Sequence, residues 1–258
     1  MKSPLTVDLN CDMGEAETSE QVAQELQILP LVTSVNIACG GHAGNPTTMR
    51  RTVQAARAQN LAIGAHPGFP NRLSHGRREQ EWTTKSVREL IHSQVGALRE
   101  ICREEGVRIS HVKPHGALYN MAARDRSLAD AIGTAVLDFD PALLLIGLAG
   151  SALIAAGEAV GLRVAAEGFA DRGYRADGSL VPRNQPGAVV DDVAAVVAQA
   201  LSLVRDGTVR TVDGTMLSLR IDTLCLHGDT AGALRLAQTI RRMLIEAGVA
   251  LARIEHGF

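Results

Sequence analysis

Aromatic residues are scarce in this sequence: one Trp, two Tyr and four Phe among 258 residues. Trp82 and the two tyrosines form no stacking platform of the kind that single-stranded nucleic acid needs. Excess charge of either sign is also missing. A formal net charge of -2 argues against nucleic acid or an anionic membrane as a partner. No hydrophobic run approaches the roughly 20 residues that span a bilayer, and the longest, Ala142 to Ala149, suits a buried strand. The opening MKSPLTVDLN has no apolar signal region, so no secretory leader is expected. Cysteine is sparse and unpaired in pattern. Cys11, Cys39, Cys102 and Cys225 make no C-x-x-C, so a disulfide framework is not expected and a reducing cytoplasm is. Two catalytic signatures are lacking as well: the glycine-rich phosphate loop that closes on Gly-Lys, and the G-x-S-x-G nucleophile elbow.

What remains is ordinary globular composition, 46% hydrophobic and 21% charged. The whole of residues 1–258 reads as one domain, with no low-complexity tract or linker to divide it. Short apolar runs alternate with longer amphipathic ones. The strand candidates are Thr6–Cys11, Val35–Cys39, Leu61–Ala65, Ile109–Lys113, Ala142–Leu148, Arg163–Glu167 and Thr223–His227. Asn45-Pro46 is a cap and first-turn signal that opens a helix to Ala58. Another helix starts at Thr83 or Thr84 and closes at Gly106, its apolar side running Val87, Ile91, Val95, Leu98 and Ile101. Ser127–Leu137, Ser151–Ala159, Asp191–Val204 and Asp229–Ala247 complete the helices. Strands joined through helices must be parallel, which predicts an α/β protein. An open doubly wound sheet would carry its phosphate loop after the first strand, where this chain has Cys11-Asp12-Met13-Gly14-Glu15. A closed β/α barrel is therefore expected.

Side chains alternate along a strand. Val7, Leu9 and Cys11 share one face of the first strand, and Asp8, Asn10 and Asp12 share the other. The same division recurs at Asn36, at His66, at His111 with Lys113 and His115, at Glu167 with Asp171 and Arg172 beyond it, and at His227 with Asp229. Only the fifth strand is apolar throughout. Burying so many polar groups without partners would cost about 1–3 kcal/mol each. Convergence on a wet pocket at the C-terminal barrel mouth removes that cost, and this face is where such barrels carry their sites. The Gly173–Pro186 stretch reads as a long functional loop.

Asp12, His42 and His66 follow consecutive strands. One carboxylate and two imidazoles can hold a divalent cation with a position open for water. The same groups equally suit a general base oriented by imidazoles. Lys113 can stabilise an oxyanion or hold an anionic substrate, or it can form a structural ion pair with Asp12. Asp171-Arg172 can clamp a carboxylate or pair at the surface. The catalytic candidates are thus Asp12, His42, His66, Lys113 and His115; the substrate-binding candidates are Asn10, Asn36, Glu167, Asp171, Arg172, His227 and Asp229. The cysteines read as small buried apolar residues.

Five segments in order, V-D-L-N-C-D-M-G-E (Val7–Glu15), N-I-A-C-G-G-H-A-G (Asn36–Gly44), G-A-H-P-G-F-P (Gly64–Pro70), H-V-K-P-H-G-A-L-Y-N (His111–Asn120) and D-G-S-L-V-P-R (Asp177–Arg183), resemble the LamB/YcsF family. Leu226-His227-Gly228-Asp229 matches the family's late H-G-D motif. The resemblance implies an irregular seven-stranded parallel β/α barrel related to polysaccharide deacetylases. It implies ATP-driven opening of 5-oxo-L-proline to L-glutamate, with B and C subunits as partners and ATP as co-substrate. It points to Asp12, His42, His66, Lys113 and His115 as site residues. The chain departs from the family at Ala16-Glu17-Thr18, where a Phe-Gly stretch is usual, at Gly41, where Phe is usual, and at Asn45 and Asn71, where Asp is common. The alternative readings are a metal-dependent deacetylase of a sugar-like amide and a non-catalytic subunit. The sequence is compatible with a homo-oligomer.

Overall fold

The computed structural model describes residues 5–16, 18–226 and 232–254. Seven parallel strands close into a barrel in the order β1 (Thr6–Met13), β2 (Ser34–Ala38), β3 (Ala62–His66), β4 (His111–Val112), β5 (Leu144–Leu148), β6 (Arg163–Phe169) and β9 (Thr223–Leu226). Closure comes from β1 pairing with β9, from Asp8↔Thr223 to Cys11↔Leu226. A two-residue strand, β10 (Ala250–Leu251), adds to the start of β1. A small antiparallel hairpin, β7 (Thr208–Arg210) with β8 (Met216–Ser218), stands apart from the barrel sheet.

The helices are the crossovers that parallel strands require. Among them, α2 (Pro46–Ala58) starts where Asn45 accepts hydrogen bonds from the Thr47 and Thr48 amides. The longest, α3 (Thr84–Glu104), buries Val87, Ile91, Val95, Leu98, Ile101 and Cys102 as its spacing predicts. Three further expected helices are α5 (Arg126–Phe139), α6 (Ala152–Ala159) and α8 (Ala233–Glu246). The expected helix Asp191–Val204 is shorter: α7 (Val193–Leu201) widens into a π turn, Ser202–Asp206, that Gly207 ends with a positive φ of 62°. Two helices were not expected, α1 (Ser19–Leu26) and α4 (Gly116–Arg124).

The alternation along β1 sorts as expected. Val7, Leu9, Cys11 and Met13 join the main apolar cluster beneath the helices, while Asp8 and Asn10 are fully buried inside the barrel. A second, small cluster of Ala62, Leu144, Ile146, Ala165 and Ile254 explains the apolar fifth strand: it supplies interior apolar filling rather than a polar group. All four cysteines are buried free thiols. No helix among the described residues is long and apolar enough to cross a membrane.

Candidate active site

The polar face of the strands forms a ladder of hydrogen bonds. Asp8 accepts from Thr33, Ser34 and Thr223 hydroxyls. Burial pushes its carboxyl up to about 6 despite those donors. Asn10 donates to Glu167 at 3.0 Å and to Thr223 at 2.7 Å. Asn36 donates to Asn10 at 2.8 Å and to Asp12 at 2.9 Å, and accepts from His111 Nε2 at 2.9 Å. That last contact requires Gly64, because a Cβ there would lie 2.0 Å from the His111 ring.

Lys113 lies above these rungs. Its Nζ sits 2.9 Å from Asp12 Oδ1 and 2.7 Å from Glu167 Oε1. It also reaches Asn10 Oδ1 and Cys225 Sγ, each at 3.3 Å. Burial opposes the Lys113 charge, but Asp12, Cys225 and Glu167 outweigh it and hold its pKa well above the ordinary value. An ammonium has three donors, and all have partners here, so the structure displays the ion pair that the sequence left as one option. Tyr119, on α4, donates to Glu167 Oε2 at 2.7 Å.

At the mouth, Asp12 turns its other oxygen to His66 Nε2 at 3.3 Å. Burial pushes the Asp12 carboxyl up, but the charges and hydrogen bonds of His66 and Lys113 prevail and hold it well below the usual range. Glu15 Oε1 lies 3.0 Å from His42 Nε2, 3.2 Å from His115 Nδ1 and 3.8 Å from His66 Nε2. Here too burial raises the carboxyl and the histidines more than reverse it. His42 stacks on His115 with ring centroids 3.6 Å apart. Burial pushes His42 down to about 4, and its Nδ1 is buried without a hydrogen-bond partner.

Asp12, Glu15, His66, Lys113, His115 and Arg172 all line one cavity of about 780 Å³. The Gly/Pro-rich loop also lines it, through Arg175, Ser179 and Arg183. Arg172 is 5% exposed and gives Nε and one terminal nitrogen to the Ala188 and Val181 carbonyls. It is therefore no surface pair. Burial, then Arg183, lowers its pKa to about 10, so it stays cationic at neutral pH.

Sequence reasoning thus placed Asp12, His66, Lys113, His115 and Arg172 where the cavity is. Asn10, Asn36 and Glu167, expected to touch substrate, sit instead in the buried ladder beneath it. His42 is buried behind His115 and reaches Glu15. Asp171 is buried beside Arg172. His227 and Asp229 lie outside the described residues. Glu15 and Tyr119 were missed, although both stand inside motifs already singled out. Among the described residues, the groups that could hold a metal ion are Glu15, His42, His66 and His115, whose ligand atoms lie within 4.8 Å of one another. The set expected from sequence was Asp12, His42 and His66. The structure brings Glu15 and His115 in, and places Asp12 beside the cluster on Lys113. One carboxylate and three imidazoles fit a divalent ion by donor chemistry.

The LamB/YcsF family profile matches residues 7–257. The A subunit of 5-oxoprolinase from Tolumonas auensis is 52% identical over 243 residues, covering 94% of this chain and 97% of that protein. The crystal structure of a lactam utilization protein from Thermus thermophilus superposes with a TM-score of 0.89 at 40% identity, covering 96% of this chain and all of that one. A family 4 carbohydrate esterase from Streptomyces lividans shares the fold alone, with a TM-score of 0.51 at 11% identity over 96% of this chain and 92% of that one. A profile match across nearly the whole chain, with the motif residues gathered at one barrel mouth, establishes that the chain belongs to the LamB/YcsF family.

Proposed function

We propose that this chain opens the lactam ring of 5-oxo-L-proline to give L-glutamate, as the A subunit of an ATP-coupled enzyme completed by B and C subunits. One observation carries the reading: an ionised Asp12 and a cationic Arg172 line a single cavity whose volume falls in the small-ligand range. The names of close relatives support it.

The substrate is a small anionic cyclic amide. Arg172 holds its carboxylate, with donors left after its two backbone bonds. The lactam carbonyl then faces Asp12 and the histidines. Lys113 and Asn36 fix the Asp12 carboxylate, which orients the attacking water. A carboxylate held so far below the usual range is a weak base, so positioning is its main contribution. Water adds to the carbonyl carbon, the C–N bond breaks, and the leaving nitrogen takes a proton to become the amine of glutamate. A divalent ion held by the Glu15 and histidine cluster would supply Lewis-acid polarisation of a bound oxygen.

Hydrolases cleave ordinary amides without ATP; coupling is assigned here because the opened product can re-close intramolecularly to the five-membered lactam. This chain has no phosphate loop, so ATP handling is assigned to the partner subunits. The buried free thiols suit the cytoplasm. The test is glutamate release from 5-oxoproline and ATP, with and without the B and C chains. Release only by the complete set is expected. Full activity of this chain alone would refute the division of labour. Chelator-sensitive hydrolysis of a sugar amide without ATP would refute the lactam reading.

A further inference from the structure

Two histidines at the mouth are tied so that their remaining nitrogens confront each other. His66 Nδ1 lies 2.8 Å from the Lys113 carbonyl, and His115 Nε2 lies 2.8 Å from the His75 carbonyl. A carbonyl oxygen only accepts, so both of these nitrogens carry hydrogen. The nitrogens that remain, His66 Nε2 and His115 Nδ1, turn toward each other and are 2.9 Å apart. Glu15 Oε1 lies 3.2 Å from His115 Nδ1 and 3.8 Å from His66 Nε2. His42 Nε2 stands 3.0 Å from the same oxygen. Three imidazoles and a carboxylate oxygen drawn this close form the mixed donor set that a transition-metal ion binds.

We propose that Glu15, His66 and His115, with His42 as the fourth donor, form a site for one divalent transition-metal ion of the zinc and cobalt class. Mixed imidazole and carboxylate donors select this class over calcium or magnesium. Ligand atoms about 2.1 Å from a tetrahedral ion are roughly 3.4 Å apart; those of Glu15, His66 and His115 are 2.9 to 3.8 Å apart, and the full set with His42 lies within 4.8 Å. The two backbone carbonyls orient the rings in the way that metal-bound histidines are usually oriented. The loop that carries Glu15 is itself fixed. The Glu25 carboxylate accepts the Gly14, Glu15 and Ala16 amides, at 2.9, 3.1 and 3.2 Å. Asp12 lies beside the ion, tied to Lys113, and is not counted among its ligands.

The proposal stands apart from the lactam reading, because ion binding is measured without substrate or ATP. The full chain is purified, stripped with chelator and titrated with Co(II), following visible absorption, with Zn(II) as competitor. About one equivalent should bind, with ligand-field bands that Zn(II) abolishes. The near-isosteric Glu15→Gln and the His115→Ala variant should bind at least tenfold more weakly. His92→Ala, remote from the site, should bind as the parent does. Circular dichroism confirms that each variant is folded. A parent chain that takes up no stoichiometric ion overturns the proposal, and so does uptake that Glu15→Gln and His115→Ala leave unchanged. Glutamate release by a complex whose A chain takes up no metal defeats this proposal alone. Metal uptake without glutamate release defeats only the functional reading.

Discussion

Replacing Lys113 with methionine keeps an unbranched apolar stem, one atom shorter, and removes a charge that two carboxylates share. Lys113 is 2% exposed, and Nζ is within 2.9 Å of both Asp12 and Glu167. At an effective dielectric of about 20, each contact is worth about 6 kcal/mol in gross Coulomb energy. Desolvation offsets most of that in the parent, but the variant retains buried carboxylates with no counter-charge. Removing one partner of such a buried set costs about 3–5 kcal/mol. In urea, that loss should lower the unfolding midpoint by about 1–2 M at an unchanged slope. Acid should narrow the gap for two reasons. The stranded carboxylates of the variant bind protons more tightly folded than unfolded, so the variant gains relative stability as pH falls. The parent's Asp12 is held low, so the parent loses stability over the same range. Adding Glu167→Gln to the variant should recover part of the loss, because one stranded charge is gone. A loss below about 1 kcal/mol, or strict additivity of the two substitutions, would refute the view that Lys113 neutralises both acids.

Three other outcomes are expected. Asp12→Asn in the complete enzyme should lower kcat about 100-fold or more in a glutamate-release assay, with a smaller effect on KM; a change below about threefold would remove Asp12 from the chemistry. Asp8 is pushed up to about 6 in the fold from an unfolded value near 3.8, so the fold holds its proton more tightly, and the parent loses stability as pH rises from about 4 through 6, by about 3 kcal/mol. Asp8→Asn mimics the protonated form and should gain about that much relative to the parent between pH 4 and 7, by urea unfolding; a constant difference across that range would contradict the buried-acid account. Gly64→Ala should destabilise the fold by about 1–3 kcal/mol, because its methyl displaces the His111 ring from Asn36; wild-type stability would mean that this contact is dispensable.

How far the sequence foretells this depends on the range of the forces involved. The two-residue period of Val7 to Asp12 is local, and it correctly sends alternate side chains to helices and to barrel interior. Asn45-Pro46 is local too, and α2 begins there. Glu15 is different. Its position depends on a positive φ of 75° at Gly14 and on the Glu25 carboxylate reaching back from α1, and neither follows from spacing within the motif. The helix α4 follows His115 with no capping side chain to announce it, so Tyr119 was not seen to face Glu167. The β7–β8 hairpin does carry a turn signal, Asp213-Gly214, but its strands are too short to show alternation. The order of strands, and hence which side chains meet, is set by closure of β1 on β9, more than two hundred residues apart in the chain.

The polar strand faces build both a structural hydrogen-bonded network and a pocket, one above the other. On the lower rungs, Asp8, Asn10, Asn36, His111 and Thr223 use their donors and acceptors on each other. A ligand would have to break these bonds to engage them. Lys113 is the boundary, with its three donors directed at acids and amide around it. Above it, Asp12, Glu15, His66 and His115 crowd together, and Arg172 lines the same cavity. In this upper rung, among the described residues, His42 Nδ1 alone is buried without a partner, while Asp12, Glu15, His66 and His115 line a cavity that a ligand can enter. A satisfied ladder gives the mouth a rigid floor, and that rigidity holds the carboxylates and imidazoles above it in place to meet a cation, a water or a lactam.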